Sequence, residues 1–247
     1  MNKTFDYIFE VMENSFVILE TSLKNQPEFV ELSLGKAYRY QEQNVFQALL
    51  QKLAKVQSTA RGAYCLLQNG FVQEQAILHR AIDEFNEDIL FLAYGITTDE
   101  VTDLHNRYLE AFWEEEIDES GNPLDSKQNR PMIPRKKIRA YIARIEGPDL
   151  GESRGVQLYK TISKAYSGFV HGASPQIMDM YGGNPPHFHI KGMKQTPRIQ
   201  ENTEDFINYI YRTFMSHMFV AKAFGNAKLL YELDKHKLEI EQLFEIK

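Results

Sequence analysis

The sequence predicts an all-α protein, a single helical bundle of about seven helices with a small β-hairpin or ordered loop near residues 174–192. Two observations predict this fold class. Apolar residues recur at steps of three and four along most of the 247-residue chain, and this spacing lines one face of a helix. Glycine and proline are concentrated between residues 172 and 198, where the helical pattern is interrupted. We therefore expect one domain over 1–247 with its core in 31–225.

The first half of the chain predicts a long helical hairpin. An amphipathic helix over 2–24 ends before Pro27, and a second helix covers 31–68. Asn69 and Gly70 break that helix, because both tolerate the left-handed conformation. A third helix then extends to Gly95. The stretch 60–95 is thus expected to be the central antiparallel helix pair.

The second half predicts shorter helices around a basic segment. Thr98 and Asp99 can cap a helix over 99–116, and 117–131 is rich in turn formers. Pro134 suits the first turn of the next helix, and another helix is expected over 153–170. A long helix resumes near 203, and the helix over 227–246 packs on the core together with the one over 2–24.

The glycine-rich and proline-rich segment predicts two short strands, 177–181 and 187–190. His187 and His189 would share one face there, since strand residues two apart point the same way. With His171 or Asp179 as a third ligand they would hold a metal. Most such pairs are plain surface residues, so we assign no metal and no cofactor.

Composition excludes several classes of protein. Cys65 is the only cysteine, so an internal disulfide or a multi-cysteine metal site is ruled out, and we expect its thiol to be a small buried hydrophobe. No run of about eighteen apolar residues indicates a membrane span. The N-terminus lacks the basic start of a signal peptide, which favours the cytoplasm. The net charge of −6 does not favour nucleic-acid binding by the whole molecule.

Arg80 and Glu84 lie four residues apart, so their side chains can meet on one helix face. A solvated pair contributes only a few tenths of a kcal/mol. A buried pair is costly to make and costly to break, which favours a functional role. Either interpretation fits the sequence, and the structural one is an ion pair that ties the hairpin to a neighbour.

The most basic stretch lies in the middle of this acidic chain. Its cations include Arg139 and Arg144 in one helix and Lys164 in the next. They are either a solvated helix face that balances the acids of 114–116 or a phosphate-binding surface. We name Arg139 and Arg144 as candidate binding residues.

A candidate reactive segment covers 166–172 and includes Tyr166, Ser167 and His171. A histidine near a helix C-terminus is favoured in its charged form. Beside Lys or Arg it would move a proton in a phosphoryl-transfer reaction such as RNA cleavage. Alternatively, His171 caps the helix or bonds Glu84 or Tyr166. The sequence holds no glycine-rich phosphate loop, zinc-protease histidine pair or GxSxG turn.

The spacings Leu67-x-x-Gly70, Ala76-x-x-x-Arg80-x-x-x-Glu84 and Tyr166-Ser167-x-x-x-His171 resemble a bacterial family of helical domains of unknown function, over about residues 45–220. That family is similar in outline to the HEPN bundles of toxin–antitoxin and phage-defence systems. Many HEPN proteins are metal-independent ribonucleases whose active site forms across a homodimer.

The HEPN motif is an arginine, then four to six residues, then a histidine. Here His171 is present, and the earlier positions hold Lys164, Ala165 and Tyr166. The resemblance implies a homodimer with RNA or a protein partner and no membrane. The first hypothesis is an interaction or ligand-binding module of stress or phage defence. The second is a ribonuclease whose His171 works with Arg80, Glu84, Lys164 and Tyr166, with Ser167 in binding, at one polar spot inside the bundle.

Overall fold

Helices form most of the chain that the structure describes. The computed structural model describes residues 2–32, 35–115, 117–118, 122, 124–128, 131–146, 157, 161, 164 and 166–246. The longer helices in these ranges are α1 (Asn2–Ser22), α2 (Val45–Asn69), α3 (Val72–Thr97), α4 (Asp103–Trp113), α5 (Arg135–Glu146), α8 (Arg198–Ala223) and α9 (Ala227–Leu243). Single helical turns form α6 (Ser167–Val170) and α7 (Ser174–Met178). The predicted all-α fold class is confirmed.

Two small antiparallel hairpins interrupt the helices in the described part of the chain. Strand β1 (Glu28–Leu32) pairs with β2 (Gly35–Arg39), and β3 (Tyr181–Gly182) pairs with β4 (His187–Phe188). The second hairpin lies where the sequence predicts one. The first overlaps the start of the range 31–68 that was predicted to be a helix.

The central position of α3 follows from the turn before it. Gly70 adopts φ +78°, and its N–H donates to carbonyls at the end of α2, so the chain reverses at once and α3 packs along α2. Helices α5 and α8 cover the other faces of α3. The predicted hairpin over 60–95 is therefore confirmed, and its second helix is enclosed by neighbours.

One apolar core fills the space around α2, α3 and α8. Its largest fully buried side chains include Phe5 and Phe9 from α1, Phe91 from α3, and Phe206 and Phe214 from α8. Helix α9 adds Leu229, Leu233 and Ile240 to the same core. Both terminal helices thus pack on the bundle.

The helix predicted over 31–68 is wrong in its first third. Phe29 and Tyr38 are cross-strand partners whose rings lie 5.0 Å apart. Such aromatic pairs favour a strand over a helix, because aromatic side chains pack well against their cross-strand neighbours. Helix α2 begins only at Val45, where the Asn44 side chain accepts from backbone N–H groups and Gln47 completes a capping box.

Other boundaries differ for local reasons. Pro175 opens α7, so the strand predicted over 177–181 is reduced to Tyr181–Gly182. Thr102 and His105 form a capping box, so α4 begins at Asp103 rather than residue 99. Cys65 is exposed, contrary to the prediction, because the buried face of α2 passes through Ala63 and Tyr64 instead. Most of the helix predicted over 153–170 lies outside the described residues.

The turn at Gly70 gives a first prediction. We expect Gly70→Ala to lower the free energy of unfolding by about 1–3 kcal/mol, because a Cβ there would lie 2.6 Å from the backbone nitrogen of Lys194 at a positive φ. The matched control is Gly62→Ala within α2, whose Cβ would meet Leu78 at an ordinary 3.5 Å. We expect this control to gain about 0.5–1 kcal/mol. Urea denaturation measures both, and equal signs would contradict the assigned turn.

Candidate functional site

Polar side chains are buried along the middle of α3. The buried polar residues of this helix are Gln75, His79, Asp83, Asn86, Glu87 and Asp88. Because α2, α5 and α8 enclose the helix, these groups have no solvent to pair with. A buried charge is tolerated only when other charges and hydrogen bonds satisfy it. The neighbouring helices supply those partners in two clusters.

The first cluster joins α3 to α8 through Asp83. Its carboxylate accepts from the Arg212 guanidinium and, at 3.2 Å, from the Tyr209 hydroxyl. Burial raises the pKa of Asp83, and the positive charge and hydrogen bonds of Arg212 act against that rise. Burial and the nearby Asp83 carboxylate raise the pKa of Tyr209. This cluster is a closed ion pair with a neutral phenol beside it.

His79 completes the first cluster and is fully buried. Its ring stacks on Tyr209 at 3.9 Å between centres and meets the edge of Tyr166 at 5.6 Å. Neither ring nitrogen has a hydrogen-bond partner within the described part of the chain. Burial, assisted by the positive charge of Arg212, lowers the pKa of His79 to about 3. The imidazole is therefore neutral at pH 7.

The second cluster joins α3 to α5 and α2. Arg139 donates to Glu87 at 2.9 Å, and Arg135 donates to Glu87 at 2.7 Å and also to Asp88. Lys52 donates to Asp88 at 2.7 Å. Burial raises the pKa of Glu87, and the two guanidinium groups act against that rise. Burial alone would lower the pKa of Arg135, but Asp88 and Glu87 outweigh it and raise that pKa.

A cleft of about 500 Å³ opens beside the second cluster. Its lining includes Lys52, Asp88 and Arg135 together with Tyr108 and Phe112. The Lys52 ammonium lies 5.2 Å from the ring centre of Phe112 and 5.7 Å from that of Tyr108. At these distances the ring faces attract the cation. The cleft thus combines a fixed ammonium with aromatic faces, and its volume lies in the range of small-molecule sites.

Arg80 and Glu84 meet as their spacing predicts, with 3.2 Å between Nη2 and Oε1. Their side chains are 28 % and 37 % exposed, so the pair is half-buried on the side of α3 that carries the cleft, whose lining includes Glu84. Arg135 also donates to the backbone oxygen of Glu84 at 2.7 Å. The predicted contact is confirmed, whereas a catalytic role for it stays a prediction.

The predicted basic residues are divided among separate places. Arg139 is buried on Glu87, and Arg144 pairs with Glu100 at the surface at 2.6 Å. Lys164 is exposed. The structure therefore places Arg139 and Arg144 in two different ion pairs rather than on one phosphate-binding face.

The segment from Tyr166 to His171 lies against α3, because α6 packs on that helix. Tyr166 reaches the rings of His79 and Tyr209 and donates to Asp205 at 2.9 Å. Ser167 begins α6 and is half-buried. His171 is exposed at the end of α6, where its backbone N–H donates to the backbone oxygen of Ser167. The structure thus brings Tyr166 into the buried cluster and leaves the His171 ring at the surface.

Several central residues were not assigned a role from the sequence. His79, Asp83 and Glu87 recur at four-residue steps along α3, and this repeat could have indicated a buried polar column. The partners on α8 gave no such signal, since Arg212 is 129 residues away from Asp83 along the chain.

The third metal ligand considered for His187 and His189 is not found. Asp179 pairs with Arg198 at 2.6 Å. Among the residues that the structure describes, no group of three or more histidine, cysteine, aspartate or glutamate side chains is arranged to hold a metal ion. Within one copy of the chain, the described side chains therefore offer two imidazoles at that place.

The chain matches no family model, no curated protein and no solved structure. The resemblance to HEPN-like helical families therefore stays a prediction, and the contacts alone support the site. Of the helices that the structure describes, none is both long enough and apolar enough to cross a lipid bilayer.

Proposed function

We propose that this chain is a ligand-binding or interaction module that works without catalysis, in bacterial stress or phage defence. The cleft beside α3 supports the binding role, because an ammonium held among aromatic faces is a recognition arrangement. The biological setting comes from the family resemblance alone. The proposed partners of the module are RNA or a protein.

The buried charges favour binding over proton transfer. A general acid or base works best when its pKa lies near the working pH. The pKa of His79 is about 3, and burial raises those of Tyr166 and Tyr209 above the ordinary phenol range. Asp83 is occupied by Arg212. These groups hold helices together. At pH 7 the imidazole of His79 stays unprotonated, and the hydroxyl groups of Tyr166 and Tyr209 stay protonated.

The chemistry of the cleft favours a planar ligand with hydrogen-bond acceptors along one edge, such as a nucleobase. Phe112 is half-buried at the cleft, and aromatic faces stack on bases of any sequence. The buried ring of Tyr108 lies behind it, with 9° between the two ring planes. The Lys52 ammonium carries three donor hydrogens, one of which is directed to Asp88. The others suit a carbonyl or phosphate oxygen of the ligand.

Substitution of Lys52 tests this proposal. We expect a ribonucleoside monophosphate to raise the melting temperature of the natural chain, and Lys52→Met to weaken its binding by about ten- to a hundredfold, since a hydrogen bond to a charged group contributes about 1.5–3 kcal/mol. Isothermal titration with the four ribonucleoside monophosphates gives the affinities. Asp88 keeps Arg135 in the variant, so the fold is retained.

The matched control is Lys55→Met, one turn further along α2. Lys55 is exposed and does not belong to the cleft lining, so its removal is expected to leave binding unchanged. Equal weakening by both substitutions would indicate a general charge effect. Absence of binding to all four nucleotides would remove the proposed ligand class.

The second candidate is a HEPN-like ribonuclease that uses His171. Its supporting observation is that α6, which ends just before the exposed His171, packs on α3. Helix α3 is the helix that carries Arg80 and Glu84. Purified natural chain and His171→Ala are to be incubated with total RNA. RNA that stays intact with both supports a non-catalytic module. Cleavage by the natural chain that is lost in His171→Ala would establish the ribonuclease instead.

A further inference from the structure

Two histidines meet on the second hairpin, away from the proposed ligand cleft. The rings of His187 and His189 lie 4.4 Å apart between centres. The backbone N–H of His189 donates to the backbone oxygen of Met180 at 2.9 Å, which extends the pairing of β3 with β4 by one residue. The two side chains therefore leave the same face of the hairpin, as residues two apart on a strand do.

A backbone contact fixes the orientation of one ring. Nδ1 of His187 lies 2.9 Å from the oxygen of Pro185, and only a protonated Nδ1 can donate to a carbonyl. This tautomer leaves the lone pair on Nε2 free to bind a metal. Histidine ligands in metal sites commonly donate their other N–H to a backbone carbonyl in this way.

Gly183 allows the two rings to approach. Its φ is +90°, and a Cβ there would lie 3.2 Å from Cε1 of His187 and 3.6 Å from Nε2 of His189. Nε2 of His189 and the ring of His187 thus border the same small space above this glycine. Two imidazoles on one tetrahedral Zn²⁺ stand roughly 5 Å apart between ring centres, given Zn–N bonds of about 2.0–2.1 Å. The observed 4.4 Å separation needs only a small adjustment.

The pair supplies two of the four ligands that Zn²⁺ requires. In the described part of the chain no third histidine, cysteine or carboxylate is positioned with them. A second copy related by a two-fold axis would present the same pair and complete a tetrahedral set. The site is therefore incomplete in one chain and complete in two.

Aromatic side chains are exposed on the opposite face of the same hairpin. Tyr181 and Phe188 are 45 % and 44 % exposed, and their rings pack together at 4.8 Å. Phe188 alternates with His187 and His189 along the strand, so this aromatic pair leaves the face opposite the histidines. The second copy follows from the incomplete ligand set instead, because a two-fold contact over the histidine face would bring the pairs of both copies to the axis.

We propose that His187 and His189 form half of an intermolecular site for a divalent transition metal such as Zn²⁺, completed by the same pair of a second copy. Imidazole nitrogen suits Zn²⁺, Ni²⁺ and Cu²⁺. This proposal does not depend on the nucleotide cleft. It makes the metal a link between two chains.

Zinc titration of the full chain tests the site. We expect one Zn²⁺ per two chains by calorimetry and, by analytical ultracentrifugation, a dimer that forms with Zn²⁺ and dissociates with EDTA. Co²⁺ in its place is expected to give the intense visible absorption of tetrahedral coordination. His187→Ala and His189→Ala each remove one ligand from both sides of the site, so both are expected to lose the stoichiometry and the Co²⁺ spectrum.

The control is His171→Ala, which removes an exposed histidine outside the pair and is expected to bind Zn²⁺ as the natural chain does. A dimer that persists in EDTA still supports the site if one Zn²⁺ per two chains is bound and is lost in both pair variants. Stoichiometric binding to one chain without a second, or binding that survives both pair substitutions, would overturn the proposal. So would the absence of any bound Zn²⁺.

Discussion

Replacement of Glu87 by glutamine is expected to cost about 3–5 kcal/mol of the free energy of unfolding. The Glu87 carboxylate is almost fully buried and accepts from both Arg135 and Arg139. The substitution keeps the shape and removes the charge, so Arg139 is left buried without the carboxylate that its Nε contacts. For a domain of this size the loss corresponds to a fall of roughly 6–20 °C in melting temperature.

The matched control is Glu84→Gln, the same substitution three residues earlier on α3. Glu84 forms a half-exposed pair with Arg80, and such pairs contribute at most about 1 kcal/mol. Urea denaturation at pH 7 compares the two variants with the natural chain. Equal losses in both would show that the contacts of Glu87 with α5 do not hold that helix to α3.

The difference between these two glutamates also shows what the sequence could reveal. The contact of Arg80 with Glu84 is local, so the four-residue spacing predicted it. The burial of Glu87 depends on α5, which is 48 residues away at Arg135. Charged side chains of one helix look alike in sequence, and only the long-range packing decides which of them is enclosed.

The same division between local and long-range contacts applies to the fold. The turn at Asn69 and Gly70 was predictable because its chemistry lies in two adjacent residues. The hairpin over 28–39 was missed because a short two-stranded ribbon has few residues in its pattern. The capping box of Asn44 and Gln47 was present in the sequence and marks the true start of α2. Such local signals set helix ends, whereas the site at Asp83 and Arg212 formed through packing between distant segments.

The same distinction between local and long-range contacts applies to the predicted centre of Arg80, Glu84 and His171. The sequence predicts Arg80 and Glu84 on one helix with His171 beside them. The structure brings Tyr166 against His79 of that helix and leaves His171 exposed. No role was predicted for His79 from the sequence, although that residue lies next to Arg80. An imidazole among apolar residues is ambiguous, since it suits either a core or a surface face. Its stacking on Tyr209 resolves the ambiguity only in the folded chain.

That buried imidazole gives a prediction about pH. The pKa of His79 is about 3 in the folded chain, against an ordinary value of 6.5. Between these values the unfolded chain binds a proton that the folded chain does not. The stability is thus fully present above pH 6.5 and is lost as the pH falls toward 3. At pH 5 this one ring removes about 2 kcal/mol relative to pH 8.

His79→Phe removes the titrating ring and keeps an aromatic side chain for the contact with Tyr209. We expect the change in unfolding free energy on substitution to be about 2 kcal/mol more favourable at pH 5 than at pH 8. Replacing two ring nitrogens that lack partners among the described residues with carbon avoids creating a new unsatisfied group. Urea denaturation of both chains at the two pH values measures the difference.

Taking the difference in unfolding free energy between the two chains cancels the pH-dependent contributions of the other buried groups. His217 is buried with its pKa lowered to about 3 and acts in the same direction as His79. Burial raises the pKa values of Asp83 and Glu87, so their contribution is lost as the pH rises and has the opposite sign. All three groups are present in both chains. The control Ile82→Val shortens a fully buried side chain of the same helix that does not titrate, and it is expected to show the same change at pH 5 and pH 8. If His79→Phe also gave equal changes at the two pH values, the ring would have to be protonated inside the bundle. The assignment of a neutral imidazole to the buried His79 would then be refuted.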